Sequence, residues 1–444
     1  MKHKKILVIH LNEFNYSYLK FGLKKYNLKY IKKFLSLKKI STFTKDNIPN
    51  KNLDPWVQSV SINTGKTSKK HKILKLGQKL NNNLLFIWDV LAKKNIDCFI
   101  WGSINSKFNH NKNIKLFFPD PWNYESKIYP SDLESLHKLP KYYAKNYLEI
   151  ESLKIIKYSF SFFFTLIRNK GLSFFLSNFA LIITSLINRG LKNYILFFLF
   201  DLISLDLFKQ KISSNKNCFS YIFLNSLAHF QHNNWDDLKA EKYYFMYVNR
   251  IIKYIFEISN AHDSLFIFNG FTQNKIKSEF LIRPINPIKF LKKIITFKNL
   301  EQDMTNGGYI FFKNKKSTNE AFKIIKNYKI CGINIFKISQ KKAKSFYYRI
   351  RIKSKKNLND FHFDKIDKLL LSQTIKDENV KYNFQINFNS KELSNFLNNI
   401  QFIKTTGVHI PTGDVLYKNI KKIGNKKSIE NHEIFNIFNN FFKI

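Results

Sequence analysis

Cysteine is scarce in this chain, and its three residues stand far apart. Cys98, Cys218 and Cys331 are spread over 444 residues without a pair at metal-binding spacing. Isolated cysteines argue against a disulfide framework and suit a reducing cytoplasm. The length suffices for one large α/β domain with insertions or for two domains, and 44% hydrophobic residues can supply a packed core.

Long apolar runs are also lacking. The longest, Leu172–Ile187, is shorter than the ~20 residues that a membrane-spanning helix needs, and it includes Ser, Asn and Thr. The short apolar run in the amino-terminal KKILVIH is too brief for the core of a signal peptide. We therefore expect no signal peptide, a cytoplasmic location, and an apolar helical insertion at 131–215 that packs as a cap. An interfacial helix pair that touches lipid is the alternative.

Negative charge is scarce as well. Asp and Glu total 31 against 75 Lys and Arg, which gives a formal net charge of +44. The lysines are scattered, and they occur together with abundant Asn, Ile and Phe, as expected when an A+T-rich genome biases codon use. Nucleic acid is therefore not an expected partner. Attraction to an anionic membrane surface or an acidic glycan remains open, because the summed charge acts whatever its origin.

A phosphate-binding loop is excluded despite the segment GKTS at 65–68. Such a loop needs a glycine five residues before its Gly-Lys pair, so that backbone N–H groups can wrap a phosphate. That position holds Val60, in a segment that is predicted to be helical.

Short apolar runs alternate with segments of helical spacing. Strands are predicted at Ile6–Leu11, Asp97–Trp101, Phe219–Leu224, Ser264–Phe268, Gly308–Phe312 and Ser345–Ile352, and helices at Tyr16–Leu37 and Leu84–Lys93. This alternation is typical of an α/β fold with a doubly wound, mostly parallel sheet and helices on both faces. The predicted organisation is core at 1–130 and 216–300, the insertion at 131–215, an unplaced mixed segment at 301–400, and a return to the core at 401–444.

The most informative segment is DPWVQSVSINTGKTSKKH, from Asp54 to His71. Asp54 can cap a helix that begins at Pro55, and Gly65 can end that helix. The start of a helix also favours an anionic phosphate. His71 is predicted to approach the same site and to support its ligands, with a surface position as the alternative.

Polar residues follow several predicted strands, where parallel sheets place their sites. Asn12 and Glu13 follow the first strand, although a carboxylate there is also an ordinary helix cap. Asn225, His229 and His232 follow Phe219–Leu224. Two histidines three residues apart after a strand can bind one metal ion from a turn, and a polar loop is the alternative.

The order of these segments resembles the alkaline phosphatase superfamily, in particular its type I phosphodiesterase and nucleotide pyrophosphatase branch. The late segment Gly407-Val-His409-Ile-Pro411-Thr-Gly413 is similar to the family's G-x-H-x-P-x-G, whose histidine is a metal ligand. Two departures stand beside it. Pro55, next to Asp54, occupies the position of the family's Ser or Thr nucleophile, and Asn269-Gly270-Phe271 occupies the position of its D-H-G.

The resemblance implies an alkaline-phosphatase-like fold and a metal-dependent phosphodiesterase, phosphatase or phosphotransferase with one or two divalent ions, zinc being expected. Asp54 is the candidate catalytic residue, as a ligand or a carboxylate nucleophile, unless covalent chemistry is lost. Two pairings with the family's D-x-x-x-H-x-x-W segment stay open, Asn225 with His229, or Ala228 with His232 and Trp235. The predicted ligands are Asn12, Glu13, Asp54, His229, His232 and His409, with Asn225, Asn269 and His71 as supporting residues.

The expected partner is a phosphorylated small molecule or a lipid-linked substrate such as a cell-envelope precursor, because the apolar insertion favours an amphipathic ligand. One alternative is a catalytically inactive relative that binds a phosphorylated ligand, a glycan or a partner protein. A second is a membrane-surface protein without a site.

Overall fold

The computed structural model describes residues 3–46, 53–81, 83–146, 151–169, 172–214, 216–303, 306–330, 333–350, 398–421 and 426–444. The chain divides into two compact units, one formed by 1–275 with 407–444 and the other by 276–406.

The strands are β1 Lys5–Leu11, β2 Lys38–Phe43, β3 Asp97–Ser103, β4 Ile114–Pro119, β5 Cys218–Leu224, β6 Ser264–Phe268, β7 Thr272–Pro284, β8 Asn299–Gln302, β9 Gly307–Phe311, β10 Lys329–Ile330, β11 Ile333–Asn334, β12 Phe336–Lys342, β13 Ser345–Ile350, β14 Ile400–Ile410, β15 Thr412–Lys418 and β16 Ser428–Glu430. The helices are α1 Tyr16–Tyr26, α2 Lys29–Leu35, α3 Pro55–Thr64, α4 Ser68–His71, α5 Ile87–Lys93, α6 Glu134–Asn146, α7 Ser152–Arg168, α8 Leu172–Arg189, α9 Asn193–Lys211, α10 Ser226–Asn233, α11 Leu238–Ser259, α12 Pro287–Lys292, α13 Lys315–Asn327 and, numbered α14 here, Ile434–Phe442.

An eight-stranded sheet in the order β16-β2-β15-β6-β1-β5-β3-β4 is the centre of the first unit. β1 pairs in parallel with β5 and β6, and β15 runs antiparallel to both of its neighbours. Side chains of β1 alternate between two apolar cores, Leu7 and Ile9 facing one and Ile6 and Val8 the other. Burial on both faces explains the continuous apolar sequence of this strand. The predicted doubly wound α/β fold is confirmed.

Two predicted helices differ from the structure, one by a break in its middle and one at its start. The segment Tyr16–Leu37 forms two helices, because Asn27 adopts a left-handed conformation with φ of 47° and ends the first one. α5 begins only at Ile87, where Asp89 accepts a hydrogen bond of 2.8 Å from the backbone N–H of Phe86.

α3 has the predicted ends. It begins at Pro55 and stops before Gly65, whose φ of 65° closes the helix. Asp54 holds the N-cap position in an extended conformation, but its side chain does not make the expected capping hydrogen bond.

The insertion between β4 and β5 consists of α6 to α9. α9 is its buried element, and Tyr194, Phe198 and Leu202 join the core on one face of the sheet. In the described part of the chain, no helix is long and apolar enough to cross a membrane.

The second unit has a four-stranded antiparallel sheet in the order β12-β13-β9-β8, with α12 and α13. Its own core includes Phe290, Ile310, Ile325 and Phe346. The strand-like runs predicted at 308–312 and 345–352 correspond to β9 and β13, and residues 351 and 352 lie outside the described residues.

Candidate metal centre

Three side chains of the first unit converge on one point. The Nε2 atoms of His232 and His409 each lie 3.2 Å from Oε2 of Glu13, and 3.3 Å from one another. Their ligand atoms form a compact group that is suited to hold a metal ion. The side chain of Glu13 is 1% exposed, whereas those of His232 and His409 are 32% and 22% exposed. The group is therefore open to solvent on the side of the histidines.

Glu13 is held by the turn that follows β1. The backbone N–H of Asn12 still extends the pairing with β5 by donating to Leu224 O at 2.9 Å, and Glu13 then adopts a left-handed φ of 54°. Oε1 accepts from the amide of Asn12 at 3.1 Å, and Oε2 accepts from the amide of Gln273. Gln231 donates to the Glu13 carbonyl oxygen at 2.9 Å. Amide donors thus stabilise a carboxylate that burial alone would disfavour.

His232 is carried by α10, which starts directly after β5. The start of this helix is capped from the insertion, because Asp201 of α9 accepts from the backbone N–H groups of Asn225 and Ser226 at 3.3 and 2.8 Å. Burial raises the pKa of Asp201 to about 6, and the hydrogen bonds from Ser226 and Asn225 limit that rise. The insertion therefore fixes the helix that presents His232.

His409 is positioned by a backbone carbonyl. Its Nδ1 lies 2.8 Å from Leu53 O. Because a carbonyl oxygen only accepts, Nδ1 carries the proton, and the lone pair of Nε2 points to Glu13 when the ring is neutral. The ring also packs edge-on against Phe271, with centroids 4.8 Å apart.

The two glycines of the segment around His409 allow close packing. A Cβ atom at Gly407 would overlap with the amide of Gln273 and lie 2.8 Å from Gln231 O. A Cβ atom at Gly413 would overlap with the Asn269 amide. Gly407 thus leaves room for the amides that hold Glu13.

The charges of these side chains shift the pKa of Glu13 and of His409. Burial alone would raise the pKa of Glu13, but the charges and hydrogen bonds of His409 and His232 outweigh it and hold that pKa well below its usual value. Burial alone would lower the pKa of His409, and the Glu13 carboxylate together with Asp54 raises it above its usual value. The Glu13 carboxylate therefore favours a positive charge beside it.

The other predicted residues near α10 form a neighbouring polar group. The amide of Asn12 donates to Asn225 Oδ1 at 2.7 Å, and Asn225 Nδ2 lies 3.2 Å from His229 Nε2. His229 stacks on Phe197 with ring centroids 3.6 Å apart, and burial lowers its pKa to about 4. Of the two open pairings with the family segment, the structure places His232, and not His229, with Glu13 and His409.

Asn269, Asp54 and His71 have different surroundings. Asn269 is fully buried, donates to Phe14 O at 2.8 Å and accepts from the Asp414 N–H at 2.9 Å. Asp54 acts on His409 through its charge. His71 lies 3.0 Å from Ser61 Oγ and accepts at Nδ1 from the Ile73 N–H.

Sequence reasoning missed Gln231 and Gln273. Both are fully buried, and both bond to Glu13. Gln231 directly precedes His232, but nothing in the sequence marks Gln273, which is 260 positions from Glu13.

The donor set fits one divalent cation. Two imidazole nitrogens and one carboxylate oxygen form the three-ligand set of many catalytic zinc sites, which keep a fourth position open. Tetrahedral ligands at ~2.1 Å from zinc lie roughly 3.4 Å from one another. The three separations here, 3.2, 3.2 and 3.3 Å, are close to that value.

No protein-family model and no curated protein sequence matches this chain. Among solved structures it is similar to murine ectonucleotide pyrophosphatase/phosphodiesterase 5, with a TM-score of 0.45 and 9% identity over 99% of this chain and 95% of that one. The human protein of the same name gives 0.44 and 8%, with the same coverage. Alkaline phosphatase from the Antarctic bacterium TAB5 gives 0.39 and 11%, over 100% of this chain and 99% of that one.

Proposed function

We propose that the protein is a divergent metal-dependent phosphoric ester hydrolase of the alkaline phosphatase superfamily, with a single divalent cation held by Glu13, His232 and His409. The observation that carries the proposal is the convergence of these three ligand atoms at separations suited to zinc. The motif order in the sequence supports the phosphoryl chemistry. A bound cation would polarise a phosphoryl oxygen and stabilise the charge that develops there.

The protein's own residues supply the surroundings of that reaction. Leu53 O fixes the tautomer of His409, and the amides of Asn12 and Gln273 orient Glu13. Asp54 lies at the N-terminus of α3, where the family has its nucleophile, and its charge acts on His409. We assign Asp54 the role of candidate nucleophile or general base.

Zinc titration by calorimetry tests the site. The wild-type protein is expected to bind one zinc ion, and His409→Ala and His232→Ala are each expected to lose affinity by on the order of 100-fold or more, since each removes one of three ligands. His110→Ala is the matched control, because His110 is exposed. Absence of zinc uptake by the wild type would refute the proposal.

The zinc-loaded protein is then assayed with bis(p-nitrophenyl) phosphate and p-nitrophenyl phosphate. Hydrolysis that is lost in His409→Ala and in Asp54→Asn, but kept in His110→Ala, is the expected result. Unchanged hydrolysis in both site variants would show that the chemistry takes place elsewhere.

A second candidate function is ligand binding without turnover. Pro55 at the nucleophile position and the neutral Asn269 favour it, because each replaces a group that the family's reaction uses. Zinc binding without hydrolysis of either ester, combined with zinc-dependent binding of a phosphate monoester, would select this candidate.

A further inference from the structure

Helices α7 and α8 expose an unusual number of large apolar side chains. On α7, each of six such residues is at least half exposed, and on α8 three are at least 60% exposed and one is 38% exposed. They are Leu153, Ile156, Phe160, Phe163, Phe164 and Ile167 on α7, and Leu176, Phe179, Ile183 and Ile187 on α8. Exposed apolar side chains gathered on a helix face mark an interaction site.

The spacing gathers these residues on one face of each helix. Successive members are separated by one, three or four positions, so they lie along a single stripe of an α-helix. The opposite face of α7 contributes Leu166 and Phe162 to the core. The outward stripe is therefore a second apolar surface, additional to the one that folding already uses.

Two polar side chains of α8 are turned inward, whereas Ser177, Thr184 and Asn188 of the same helix are exposed. Asn178 is buried and donates to Tyr254 OH at 3.2 Å, and Ser185 is buried with its hydroxyl 2.7 Å from Tyr247 OH. On the same helix Leu176 and Ile187 are 81% and 78% exposed. α8 therefore uses Leu181, Ile182 and two buried polar groups to pack on its own protein, and leaves Leu176 and Ile187 for an apolar environment on its outer side.

A spanning arrangement does not fit these helices. No helix in the described ranges is long and apolar enough to cross a membrane. α7 has 17 residues, about 25 Å of helix, and carries Lys154 and Lys157 in its first half. Helices of this kind lie in the plane of the membrane surface, with the apolar face at the boundary between headgroups and acyl chains.

Charge identifies the surface that these helices would meet. α7 contains Lys154, Lys157 and Arg168, and neither α7 nor α8 contains an acidic residue, although Lys154 pairs with the N-cap residue Glu151 at 2.8 Å. The whole chain has a formal net charge of +44. Basic residues beside an apolar stripe are attracted to anionic headgroups, whereas a second copy of this strongly basic chain would be repelled.

We propose that α7 and α8 form a docking surface for an anionic lipid bilayer, into whose headgroup region the two apolar stripes insert. The docking surface belongs to the same unit as the metal centre, and α9 of the same insertion caps the helix that carries His232. The docking itself does not depend on the metal chemistry.

Vesicle flotation with the full chain tests this inference. The wild-type protein is expected to float with vesicles of phosphatidylcholine and phosphatidylglycerol in equal parts, and less with phosphatidylcholine alone. The double variant Phe164→Glu and Leu176→Glu is expected to reduce vesicle binding at least about tenfold, because it places one charge in each apolar stripe. Both positions are exposed, so the fold is not expected to change.

The matched control adds the same two charges elsewhere. Leu74 and Leu238 are 44% and 72% exposed and lie outside the insertion, so Leu74→Glu with Leu238→Glu is expected to float like the wild type. His232→Ala with His409→Ala is also expected to float normally, which separates this inference from the proposed metal site. A wild-type protein that stays with the unbound fraction, or equal flotation of the two glutamate variants, would overturn the proposal. So would a wild-type dimer in solution that Phe164→Glu with Leu176→Glu converts to monomer, since a second copy would then cover the surface.

Discussion

At the scale of single residues, the side-chain amide of Asn269 holds two backbone segments beside Glu13. Its side-chain amide donates to Phe14 O and accepts from the Asp414 N–H. Its backbone carbonyl oxygen accepts from the Glu13 N–H at 3.3 Å. An amide suits these two backbone groups because it both donates and accepts, and Phe14 O also accepts from Thr272 Oγ1 at 3.1 Å. Asn269 thus supports the turn that carries Glu13.

Asn269→Asp is therefore expected to destabilise the protein by about 1–3 kcal/mol at pH 7, because the donor to Phe14 O is lost and a charge is buried. Urea unfolding measures the loss of unfolding free energy relative to the wild type. This loss should become smaller as the pH falls, because the new carboxyl group takes up a proton. Asn81→Asp is the control, because Asn81 is exposed and an aspartate can still accept the hydrogen bond from the Asn83 N–H. Equal stability of the two variants would contradict this account of Asn269.

At the scale of elements, the junction of α9 with α10 is the decisive contact. Asp201 is 5% exposed and accepts from two backbone N–H groups at the first turn of α10. A carboxylate at this position satisfies donors that the helix itself leaves unpaired, and it complements the positive end of the helix.

Asp201→Ala is expected to cost about 1–2 kcal/mol of unfolding free energy and to weaken zinc binding, because the helix that presents His232 loses its cap. Asp132→Ala provides the comparison, since Asp132 forms a partly exposed ion pair with Lys211 at 3.2 Å and should change stability by less than ~1 kcal/mol. Urea unfolding and zinc titration measure both effects. Equal unfolding free energies and equal zinc affinities of the two variants would mean that the cap does not support the site.

At the scale of the whole molecule, buried neutral histidines couple folding to pH. Burial lowers the pKa of His10 to about 3 and the pKa of His71, His137 and His229 to about 4. In the unfolded chain these histidines take up protons near pH 6.5, whereas in the folded protein they stay neutral until about pH 4. Their contribution to the unfolding free energy is therefore present above pH 6.5 and is lost as the pH falls toward 4.

Between pH 6.5 and 4.5 each such histidine is expected to lower the unfolding free energy by about 1.4 kcal/mol per pH unit. The buried carboxyl groups of Asp120 and Asp201, whose pKa burial raises to about 7 and about 6, offset part of this loss. His137→Asn removes one contribution and should reduce the slope by that amount. Urea unfolding at several pH values measures the slope, and His110→Ala, at an exposed position, should leave it unchanged. A slope that His137→Asn does not alter would exclude His137 as a source.

Much of this fold follows from the sequence, because β1, β3, β5 and β6 are continuous apolar runs between polar residues. The break at Asn27 is not visible in the pattern, since it depends on one left-handed residue inside a helical spacing. The sequence also singles out Glu13, His232 and His409, which the structure brings together. It leaves His229 and His232 as alternatives, because which of them reaches Glu13 depends on tertiary packing, and in the structure His229 stacks on Phe197 instead.

The position of β15 in the sheet has a consequence for synthesis on the ribosome. β15 lies between β2 and β6, yet both of these strands are made long before it. Until residues 412–418 emerge, the edge of β6 has unpaired backbone groups of the kind that promote association between nascent chains. His409 emerges just before β15, so the same late event closes the sheet and completes the three-ligand group. The proposed cation site can therefore assemble only after residue 409 has been translated.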